Sequence, residues 1–411
     1  MKCRHCHAEV KLPFVDLGAS PPSNSYMTEA QLVKPERWYP LRVAVCESCW
    51  LVQTEDFADR EEFFSPEYGY FSSASSSWLQ HCERYAADMC SRLKLTEQSC
   101  VVEVAANDGY LLQYFKQASV PCYGVEPTHS TAEAARAKGI EIVEEFFGVA
   151  IAQQLAGQGK SADLMAANNV LAHVPDINDF VGGFATLLKT DGVATFEFPH
   201  LMNLVQFAQF DTVYHEHYSY LSLTAVVQIF KANGLEVFDV QELPTHGGSL
   251  RVFAKKLSSN AHPIQDSVGQ LLNRELRAGI KTSAYYSQTQ ADALRIKRDL
   301  MRFLLDAQEA GKVVAAYGTA AKGNTLLNFA GVRTDLVKLV VDRSPGKQGK
   351  FMPGSRIPIV NEEQLVASQP DYVLILPWNI EQEVKQQLSN NHPNAKWQYV
   401  TAIPKLIISS S

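Results

Sequence analysis

The sequence lacks long apolar runs and has no excess of positive charge. No stretch of about 20 apolar residues occurs in the 411 residues, and the start from Met1 to His5 leads into no apolar segment. The formal net charge is −7, since 44 acidic residues outnumber 37 lysines and arginines. These absences argue against a membrane span, a secretory signal and a large basic surface for nucleic acid. We therefore expect a cytoplasmic protein whose partner is neither a membrane nor a nucleic acid.

The eight cysteines are divided between two tight pairs and four single residues, which does not suit a disulfide framework. Each pair has the form C-x-x-C, a turn that can present two thiolates to one ion. In a reducing compartment such pairs hold metal or perform redox chemistry. We predict a zinc site, with thioredoxin-like redox chemistry as the alternative. Its ligands would be Cys3, Cys6, Cys46 and Cys49, and four thiolates leave no open position, so the zinc would be structural.

The 39 residues between the two pairs exceed the spacing usual in zinc ribbons, so an inserted excursion is expected. His5 and His7 adjoin the first pair, and either histidine could replace a cysteine as ligand. So short a region has little core of its own, and its folding should depend on the ion.

The chain is too long for one core and divides into three regions. Its composition, with 46% hydrophobic and 20% charged residues, is that of an ordinary globular enzyme. After the cysteine-rich start, short apolar runs alternate with helical patterns, which predicts α/β folds with parallel sheets. We predict a small zinc-binding domain over residues 1–71, a Rossmann-like domain over 72–284 and a second Rossmann-like α/β domain over 285–411.

A strand, a loop of small residues and a helix follow one another between Ser99 and Leu112. Small residues let a nucleotide-like ligand approach the backbone at the end of a strand. Ala105 and Ala106 stand where glycines are usual, so a G-x-G-x-x-G that cradles pyrophosphate is absent. A later strand ends at Glu126, a carboxylate suited to two ribose hydroxyls. The predicted cofactor pocket comprises Glu103, Ala105, Asn107, Asp108, Gly109, Glu126, Asn168 and Asn169.

The third region begins with a long helical pattern and repeats the strand, loop and helix order from Val313 to Thr325. Backbone N–H groups in that turn, together with Lys322, suit a phosphate. A loop from Arg343 to Pro358 is rich in glycine, proline and positive charge, which suits a diphosphate, although a solvated surface loop has the same composition. The predicted substrate-binding residues are Lys322, Gly323, Asn324, Arg343, Lys347 and Lys350.

The block from Val213 to Tyr220 holds two histidines, one carboxylate and three phenols. On an extended segment, His215 and His217 would share one face while Glu216 points the other way. Metal-binding helices space their histidines by four instead. Imidazole titrates near neutral pH and a carboxylate can tune it, so the block predicts acid–base chemistry. The alternative is a polar helix cap or an interfacial cluster of histidine and tyrosine.

Four marks together resemble one enzyme family: the paired cysteines, Glu103-Val-Ala-Ala-Asn-Asp-Gly109, Tyr214-His-Glu-His217 and Tyr317-Gly-Thr-Ala-Ala-Lys-Gly323. The chain resembles the S-adenosylmethionine-dependent sugar C-3′-methyltransferases that act on dTDP-4-keto-deoxysugars, in the same order and over essentially its whole length. The resemblance implies a zinc domain, an S-adenosylmethionine domain and a C-terminal Rossmann-like domain that helps to hold the sugar nucleotide. The family usually has Gly-Ser-Asn-Asp-Gly in the first loop, where this chain replaces the first two residues by alanines.

The family's catalytic positions fall on Tyr68, His173, Tyr214, Glu216 and His217. Methylation at carbon requires removal of a proton beside a ketone and stabilisation of the enolate that forms. The hypothesis is that His217 is the base and that Glu216 or a nearby group sets its tautomer. Tyr214 or His173 would donate a hydrogen bond to the enolate oxygen, and Tyr68 would close the pocket from the zinc domain.

Two other functions fit part of the sequence. A zinc-bearing RNA methyltransferase would have the same central domain, but the acidic charge and a third nucleotide-fold-like domain weigh against RNA. A non-catalytic scaffold is supported only by Ala105-Ala106 in the cofactor loop. No motif selects one sugar, the group at its C-3′ or an oligomeric state.

Overall fold

The computed structural model describes residues 1–57 and 71–410. Its strands are β1 (Leu12–Ser20), β2 (Tyr39–Val45), β3 (Val52–Thr54), β4 (Val101–Val104), β5 (Cys122–Val125), β6 (Glu141–Val143), β7 (Ala162–Asn168), β8 (Leu188–Pro199), β9 (Ser219–Tyr220), β10 (Leu235–Leu243), β11 (Ser249–Lys256), β12 (Val314–Tyr317), β13 (Val340–Val341), β14 (Ile359–Val360), β15 (Tyr372–Ile375), β16 (Gln398–Thr401) and β17 (Ile407–Ser410). Its α-helices are α1 (Ser76–Leu93), α2 (Leu112–Gln117), α3 (His129–Ala137), α4 (Val149–Gly157), α5 (Ile177–Leu187), α6 (Leu201–Gln206), α7 (Leu223–Ala232), α8 (Asp266–Ala278), α9 (Ser283–Tyr286), α10 (Thr289–Glu309), α11 (Ala321–Ala330), α12 (Glu362–Ala367) and α13 (Glu381–Asn391). Short 3₁₀ helices lie at Glu29–Gln31, Ser72–Ala74, Leu171–His173, Phe210–Thr212, Thr245–Gly247 and Trp378–Ile380.

The first sheet is antiparallel, in the order β1-β2-β3-β9. Three of these strands come from the cysteine-rich start, whereas β9 belongs to the histidine block far along the chain. Val52 pairs with Tyr220, and Gln53 pairs with Ser219. A strand of the histidine block therefore completes the sheet of the zinc-binding region, which the sequence did not predict.

The second sheet has the order β10-β11-β8-β7-β4-β5-β6. Its strands are parallel except for β11, which runs antiparallel to both neighbours. β4 is buried along its whole length, as expected of a short apolar run without alternation in a sheet covered on both faces. The predicted α/β organisation is confirmed. Because β4, β5, β7 and β8 are parallel, their carboxyl ends meet at one edge, where ligands bind in such sheets.

The third sheet has the order β14-β13-β12-β15-β16-β17, parallel except for the last pair. Gly318 follows β12 with φ 88°, and a Cβ there would lie 2.5 Å from Cδ of Pro377, which follows β15. Only glycine allows these two strand ends to approach so closely. The loop that carries Trp378 therefore lies against the start of α11.

One apolar core joins the first sheet to the C-terminal region. It includes Phe14 and Val43 of the first sheet, Phe210 beside the histidine block, and Leu300 and Leu326 of α10 and α11. The zinc-binding region is therefore packed onto the C-terminal region rather than tethered to it. In the part of the chain that the structure covers, no helix is both long and apolar enough to cross a membrane. The domain limits at residues 71 and 284 stay a prediction.

Candidate active site and zinc site

The cysteines of the two pairs converge on one point. Their four sulfur atoms lie within 4.8 Å of one another, with 3.5 Å between Cys3 and Cys49 and 3.5 Å between Cys6 and Cys46. Zinc–sulfur bonds of about 2.3 Å in a tetrahedron place sulfur atoms about 3.8 Å apart, so the cluster fits a zinc ion. The thiols hydrogen-bond in two pairs, and binding of zinc would require their thiolate forms.

Arg4 joins the zinc-binding turn to the central domain. It lies between the two cysteines of the first pair, and its side chain is 6% exposed. Nη1 donates to the carbonyl of Pro175 at 2.8 Å, and Nη2 donates to the carbonyl of Thr54 at 3.0 Å. Pro175 is two residues beyond His173, so the zinc-binding turn holds the loop that carries a predicted catalytic histidine.

Gln53 and His5 make further contacts between the zinc-binding region and the central domain. Nε2 of Gln53 donates to the sulfur of Cys3 at 3.3 Å, while its backbone pairs with Ser219 in β9. Nδ1 of His5 lies 2.8 Å from Oδ1 of Asn178, so this histidine is engaged outside the cysteine cluster. The cluster is therefore made of four thiols, with hydrogen bonds that lead from it to the histidine block.

The histidine block forms a turn rather than the extended segment predicted from its sequence. The N–H of His217 donates to the carbonyl of Tyr214 at 2.9 Å, which closes a turn over His215 and Glu216. Nε2 of His215 lies 3.3 and 3.2 Å from the first two carbonyls of β2, away from the neighbours of His217. The prediction that the two histidines share a face was wrong, because the turn reverses the chain between them.

His217 has both ring nitrogens hydrogen-bonded. Nδ1 lies 2.8 Å from the carbonyl of Thr212, which can only accept, so Nδ1 carries the proton. Nε2 is then an acceptor, and the hydroxyl of Tyr214 donates to it at 2.6 Å. Burial, and then the nearby His173, lower the pKa of His217 well below its ordinary value. The result is a neutral imidazole whose Nε2 lone pair can take a proton.

His173 stands beside this pair. It ends the 3₁₀ helix that follows β7, and its ring lies edge to face with that of His217, with 4.6 Å between centroids. Burial lowers the pKa of His173 to about 4, so this ring too is neutral near pH 7. The fold thus brings together three of the predicted catalytic residues, His173, Tyr214 and His217, from two separate segments.

Glu216 takes a different place from the one predicted. Its Oε2 accepts a hydrogen bond from Nδ2 of Asn24 at 2.5 Å, and Asn24 belongs to the excursion between the two cysteine pairs. Burial raises the pKa of Glu216 to about 7. The tautomer of His217 is set by the Thr212 carbonyl and not by Glu216. Tyr68 lies outside the described residues, so its place in the pocket stays a prediction.

The predicted cofactor residues lie at the carboxyl edge of the second sheet. Glu103 is fully buried in β4 beside the phenol of Tyr110, and burial raises the pKa of its carboxyl well above the usual range. Glu126, directly after β5, accepts hydrogen bonds from the backbone N–H groups of Asn107 and Thr128, each at 2.9 Å. Burial raises the pKa of Glu126 as well. These bonds tie the first loop to the neighbouring strand.

The loop between β4 and α2 adopts backbone angles that favour glycine. Ala105 has φ 58°, Asn107 has φ 48° and Gly109 has φ 74°. A Cβ on Gly109 would lie 2.5 Å from Cδ1 of Ile140, so a larger residue there would require this side chain to move. Ala105 carries strain of about 1–2 kcal/mol that a glycine would avoid. The loop therefore keeps the left-handed conformation even though alanine replaces the usual glycine.

Polar atoms at this edge fit a bound ligand. Among the described residues, no group hydrogen-bonds the side-chain amide of Asn168, which is 7% exposed, or Oδ1 of Asp108, which is 2% exposed. Oδ1 of Asn169 likewise accepts no hydrogen bond from the described residues. Buried polar groups nearly always have partners, so these atoms suit the amino, carboxylate and ribose groups of S-adenosylmethionine.

The C-terminal region places Lys322 against the histidine block. Nζ donates to Oδ1 of Asn379 at 2.8 Å and lies 4.8 Å from the ring centre of Trp378. Thr325, one turn further along α11, donates from its hydroxyl to the carbonyl of Val213 at 2.8 Å. Burial lowers the pKa of Lys322. Lys322 therefore faces the segment that leads into Tyr214.

Gly323 and Asn324, which follow Lys322, make contacts that hold α11 in place. Asn324 donates to the carbonyl of Ser23 at 2.7 Å, which ties α11 to the excursion of the zinc-binding region. A Cβ on Gly323 would lie 2.9 Å from Cβ of Leu376, so the glycine allows α11 to pack on the end of the third sheet.

The basic side chains of the loop from Arg343 to Pro358 make separate contacts. Arg343 donates to Oε1 of Gln387 at 3.1 Å and is exposed. Lys347 lies 5.0 Å from the ring centre of Tyr26, and its Nζ is 3.9 Å from Oδ2 of Asp342. The loop also carries the half-buried Lys350. None of these contacts is shared with Lys322, so the described residues do not gather all the predicted cations at one phosphate.

Three residues at the site were missed in the sequence: Asp211, His246 and Trp378. Nε1 of Trp378 donates to Oδ2 of Asp211 at 2.8 Å, and burial raises the pKa of Asp211 to about 6. His246 has φ 55°, and its Nε2 accepts from Nδ2 of Asn169 at 3.2 Å. Burial lowers the pKa of His246 to about 4. For His246, the sequence offers one hint, namely the two glycines that follow it and indicate an irregular turn. Strained backbone at non-glycine residues clusters at active sites, and the φ of His246 fits that rule.

A neutral histidine beside the ligand edge of a parallel sheet, linked through Arg4 to a four-cysteine cluster, fits an α/β enzyme, and comparisons with known proteins show its class. Three family profiles match successive parts of the chain: a zinc binding domain at residues 3–64, a methyltransferase domain at 78–240 and a C-methyltransferase C-terminal domain at 244–404. The C-methyltransferase NovU of Streptomyces niveus is 33% identical over 384 residues, which cover 93% of this chain and 91% of that protein. The chain belongs to the S-adenosylmethionine-dependent C-methyltransferase family. The predicted family, cofactor and zinc ion are thereby confirmed.

Solved structures give weaker likenesses. PH0226 from Pyrococcus horikoshii OT3 matches with a TM-score of 0.38 at 14% identity, over 49% of this chain and 100% of that chain. The magnesium protoporphyrin IX methyltransferase of Synechocystis PCC 6803 matches with a TM-score of 0.36 at 13% identity, over 49% and 100% of the two chains. At these values neither likeness carries weight for the substrate.

Proposed function

We propose that this C-methyltransferase methylates C-3′ of a nucleotide-linked 4-keto-deoxysugar, with dTDP as the nucleotide, in deoxysugar biosynthesis. The observation that carries the proposal is the state of His217, a neutral imidazole with Nδ1–H fixed on the Thr212 carbonyl. A carbon next to a ketone becomes a nucleophile only when a base removes its proton. His217 supplies that base.

Tyr214 is proposed to donate a hydrogen bond to the enolate oxygen. Its hydroxyl donates to Nε2 of His217 at 2.6 Å, and a hydroxyl hydrogen can turn about the C–O bond. When a substrate C–H group occupies Nε2, the hydroxyl turns its hydrogen bond to the ketone oxygen. A second donor would come from His173, which lies beside His217, if its ring N–H turned from the backbone of Glu216 to the ketone oxygen. One such donor contributes about 3 kcal/mol in comparable sites.

The cofactor residues are proposed to act by binding and orientation. When bound, S-adenosylmethionine supplies the electrophilic methyl group. Glu126 would hold the ribose hydroxyls, and the loop with Asn107 and Asp108 would hold the methionine end. The side-chain amide of Asn168, which has no hydrogen-bond partner among the described residues, would add a donor and an acceptor at the end of β7. In this proposal the reacting carbon of the sugar would lie between the cofactor edge and His217.

The nucleotide end is proposed to reach the C-terminal region. Lys347 and Lys350 lie in the loop after β13, and Arg343 begins that loop. Tyr68 would close the pocket from the zinc-binding region. The proposal includes a cytoplasmic location, which the free thiols outside the zinc site favour.

The test is incubation of the purified enzyme with S-adenosylmethionine and a panel of dTDP-4-keto-deoxysugars. The expected product is heavier than the substrate by one CH2 unit, with the new methyl group at C-3′ by NMR. Replacement of His217 by Asn should abolish the product, whereas His215→Asn, the same change two residues away, should leave it. Absence of product from every member of the panel with the wild-type enzyme would overturn the proposal.

An RNA methyltransferase was the alternative from the sequence. The match of residues 244–404 to a C-methyltransferase C-terminal domain supports the sugar instead. A filter-binding assay with RNA at two salt concentrations separates the two, because phosphate contacts give binding that weakens steeply with salt. We expect no salt-dependent retention.

A further inference from the structure

Lys322 and Thr325 lie on one face of α11, because residues three apart are neighbours on a helix. The Thr325 hydroxyl donates to the carbonyl of Val213 at 2.8 Å, one residue before Tyr214. The face that carries Lys322 is therefore in direct contact with the segment that fixes His217. From this geometry we propose that Lys322 is a catalytic residue whose ammonium stabilises the negative charge on the enolate oxygen.

The ammonium is held in place by a loop that also holds the base. Nζ donates to Oδ1 of Asn379 at 2.8 Å and lies 4.8 Å from the ring centre of Trp378. The same Trp378 donates to Oδ2 of Asp211 at 2.8 Å. Asp211 precedes Thr212, whose carbonyl fixes the tautomer of His217. A chain of three contacts therefore sets Lys322 and His217 relative to each other.

The charge of Lys322 is only partly compensated. Among the residues that the structure describes, no carboxylate lies within ion-pair distance of Nζ, although Asp211 is close enough to raise its pKa. The side chain is half-buried, and a partly desolvated cation without an ion pair contributes little to stability. With one conventional acceptor and one aromatic face among the described residues, a third N–H of the ammonium can donate to a ligand. Such a preorganised donor suits charge that appears only during the reaction.

This role of Lys322 rests on the proposed function, in which methyl transfer begins with an enolate. The C-3′–H bond breaks, its proton passes to Nε2 of His217, and its electron pair forms the enolate with negative charge on the C-4′ oxygen. Lys322 donates a hydrogen bond to that oxygen without losing its proton. The enolate carbon then takes the methyl group, the ketone re-forms, and the sulfonium becomes a neutral thioether.

This role differs from the phosphate role predicted from sequence. A phosphate ligand binds equally in the ground state and the transition state, so its loss raises KM and leaves kcat unchanged. An enolate partner acts only in the transition state, so its loss lowers kcat with little change in KM. The basic side chains of the loop after β13 make other contacts, which leaves Lys322 separate from them.

The experiment uses the full-length zinc enzyme and the dTDP-4-keto-deoxysugar that the wild type methylates. For Lys322→Met, we expect kcat and the rate of deuterium uptake at C-3′ from D2O to fall about 100-fold, with KM changed less than about threefold. Lys385→Met is the matched control, because Lys385 also lies over an aromatic ring in the C-terminal region, 5.8 Å from the centre of Tyr399. The control should keep wild-type rates.

A rise in KM with unchanged kcat and deuterium uptake would overturn the inference and return Lys322 to phosphate binding. If Lys322→Met does not fold, Asn379→Ala provides the test, since it keeps the cation and removes its fixed acceptor. That variant should lose about tenfold in deuterium uptake, and unchanged uptake would equally refute the role. Failure of the wild type to exchange or methylate any sugar would instead refute the proposed function, so the two failures are distinguishable.

Discussion

Replacement of Arg4 by glutamine tests how the zinc-binding turn is fastened to the central domain. Its guanidinium donates to two backbone carbonyls, those of Pro175 and Thr54, and charge-assisted hydrogen bonds of this kind contribute about 1.5–3 kcal/mol each. The ion pair with Asp56 adds little, because that carboxylate is 54% exposed. The ordering of the side chain offsets about 2 kcal/mol. We expect Arg4→Gln to lower the free energy of unfolding by about 1–4 kcal/mol.

The assay is urea unfolding followed by tryptophan fluorescence, with zinc content measured in parallel. Arg42→Gln is the control, because Arg42 also pairs with a carboxylate of the zinc-binding region, Glu55 at 2.8 Å, but is 48% exposed. The control should change the free energy of unfolding by less than about 1 kcal/mol. Equal unfolding midpoints for Arg4→Gln and Arg42→Gln, with zinc retained in both, would refute the reasoning.

Further predictions concern ionisation, backbone strain and metal. Because burial raises the pKa of Glu216 to about 7, the folded state keeps a proton that the unfolded state has lost. Stability should therefore fall by up to about 3 kcal/mol as the pH rises from about 4.5 to about 7. Glu216→Gln should reduce the difference between the urea midpoints at pH 5 and pH 8, and the rest comes from other buried carboxyls such as Asp211. Ala105→Gly should raise the melting temperature, since glycine relieves left-handed strain of about 1–2 kcal/mol at φ 58°; a lower melting temperature would contradict this. Cys6→Ser should lower zinc content and stability together, whereas Cys90→Ser, outside the cluster, should change neither.

The zinc ligands and the parallel strands were predictable because their signals are local. Two C-x-x-C turns define a tetrahedral site wherever the chain brings them, and four sulfur atoms within 4.8 Å are the outcome. The strand that ends at Asn168 follows from a short apolar run, and its carboxyl end has the position that ligands require.

The conformation of the histidine block was not predictable from its pattern. Alternation placed His215 and His217 on one face, but the hydrogen bond from His217 to Tyr214 turns the chain between them. The partner of Nδ1 is a backbone carbonyl, that of Thr212, which no side-chain motif reveals. A sequence names the titratable groups of a site, whereas the fold decides which atoms meet.

Contacts over long sequence separations account for the other differences. Asn24 reaches Glu216 across 192 positions, and Trp378 reaches Asp211 across 167. Neither pair has a spacing that a single sequence can show. The excursion between the cysteine pairs has a structural use, because it carries Asn24 to the histidine block.

The central claim is that His217 is the base that removes the C-3′ proton. The most direct measurement is deuterium uptake at C-3′ of the dTDP-4-keto-deoxysugar in D2O, with S-adenosylhomocysteine in place of the methyl donor. The wild type and His215→Asn should incorporate one deuterium, and His217→Asn should incorporate none while it still binds S-adenosylhomocysteine by calorimetry. Uptake by His217→Asn at the wild-type rate would contradict the account.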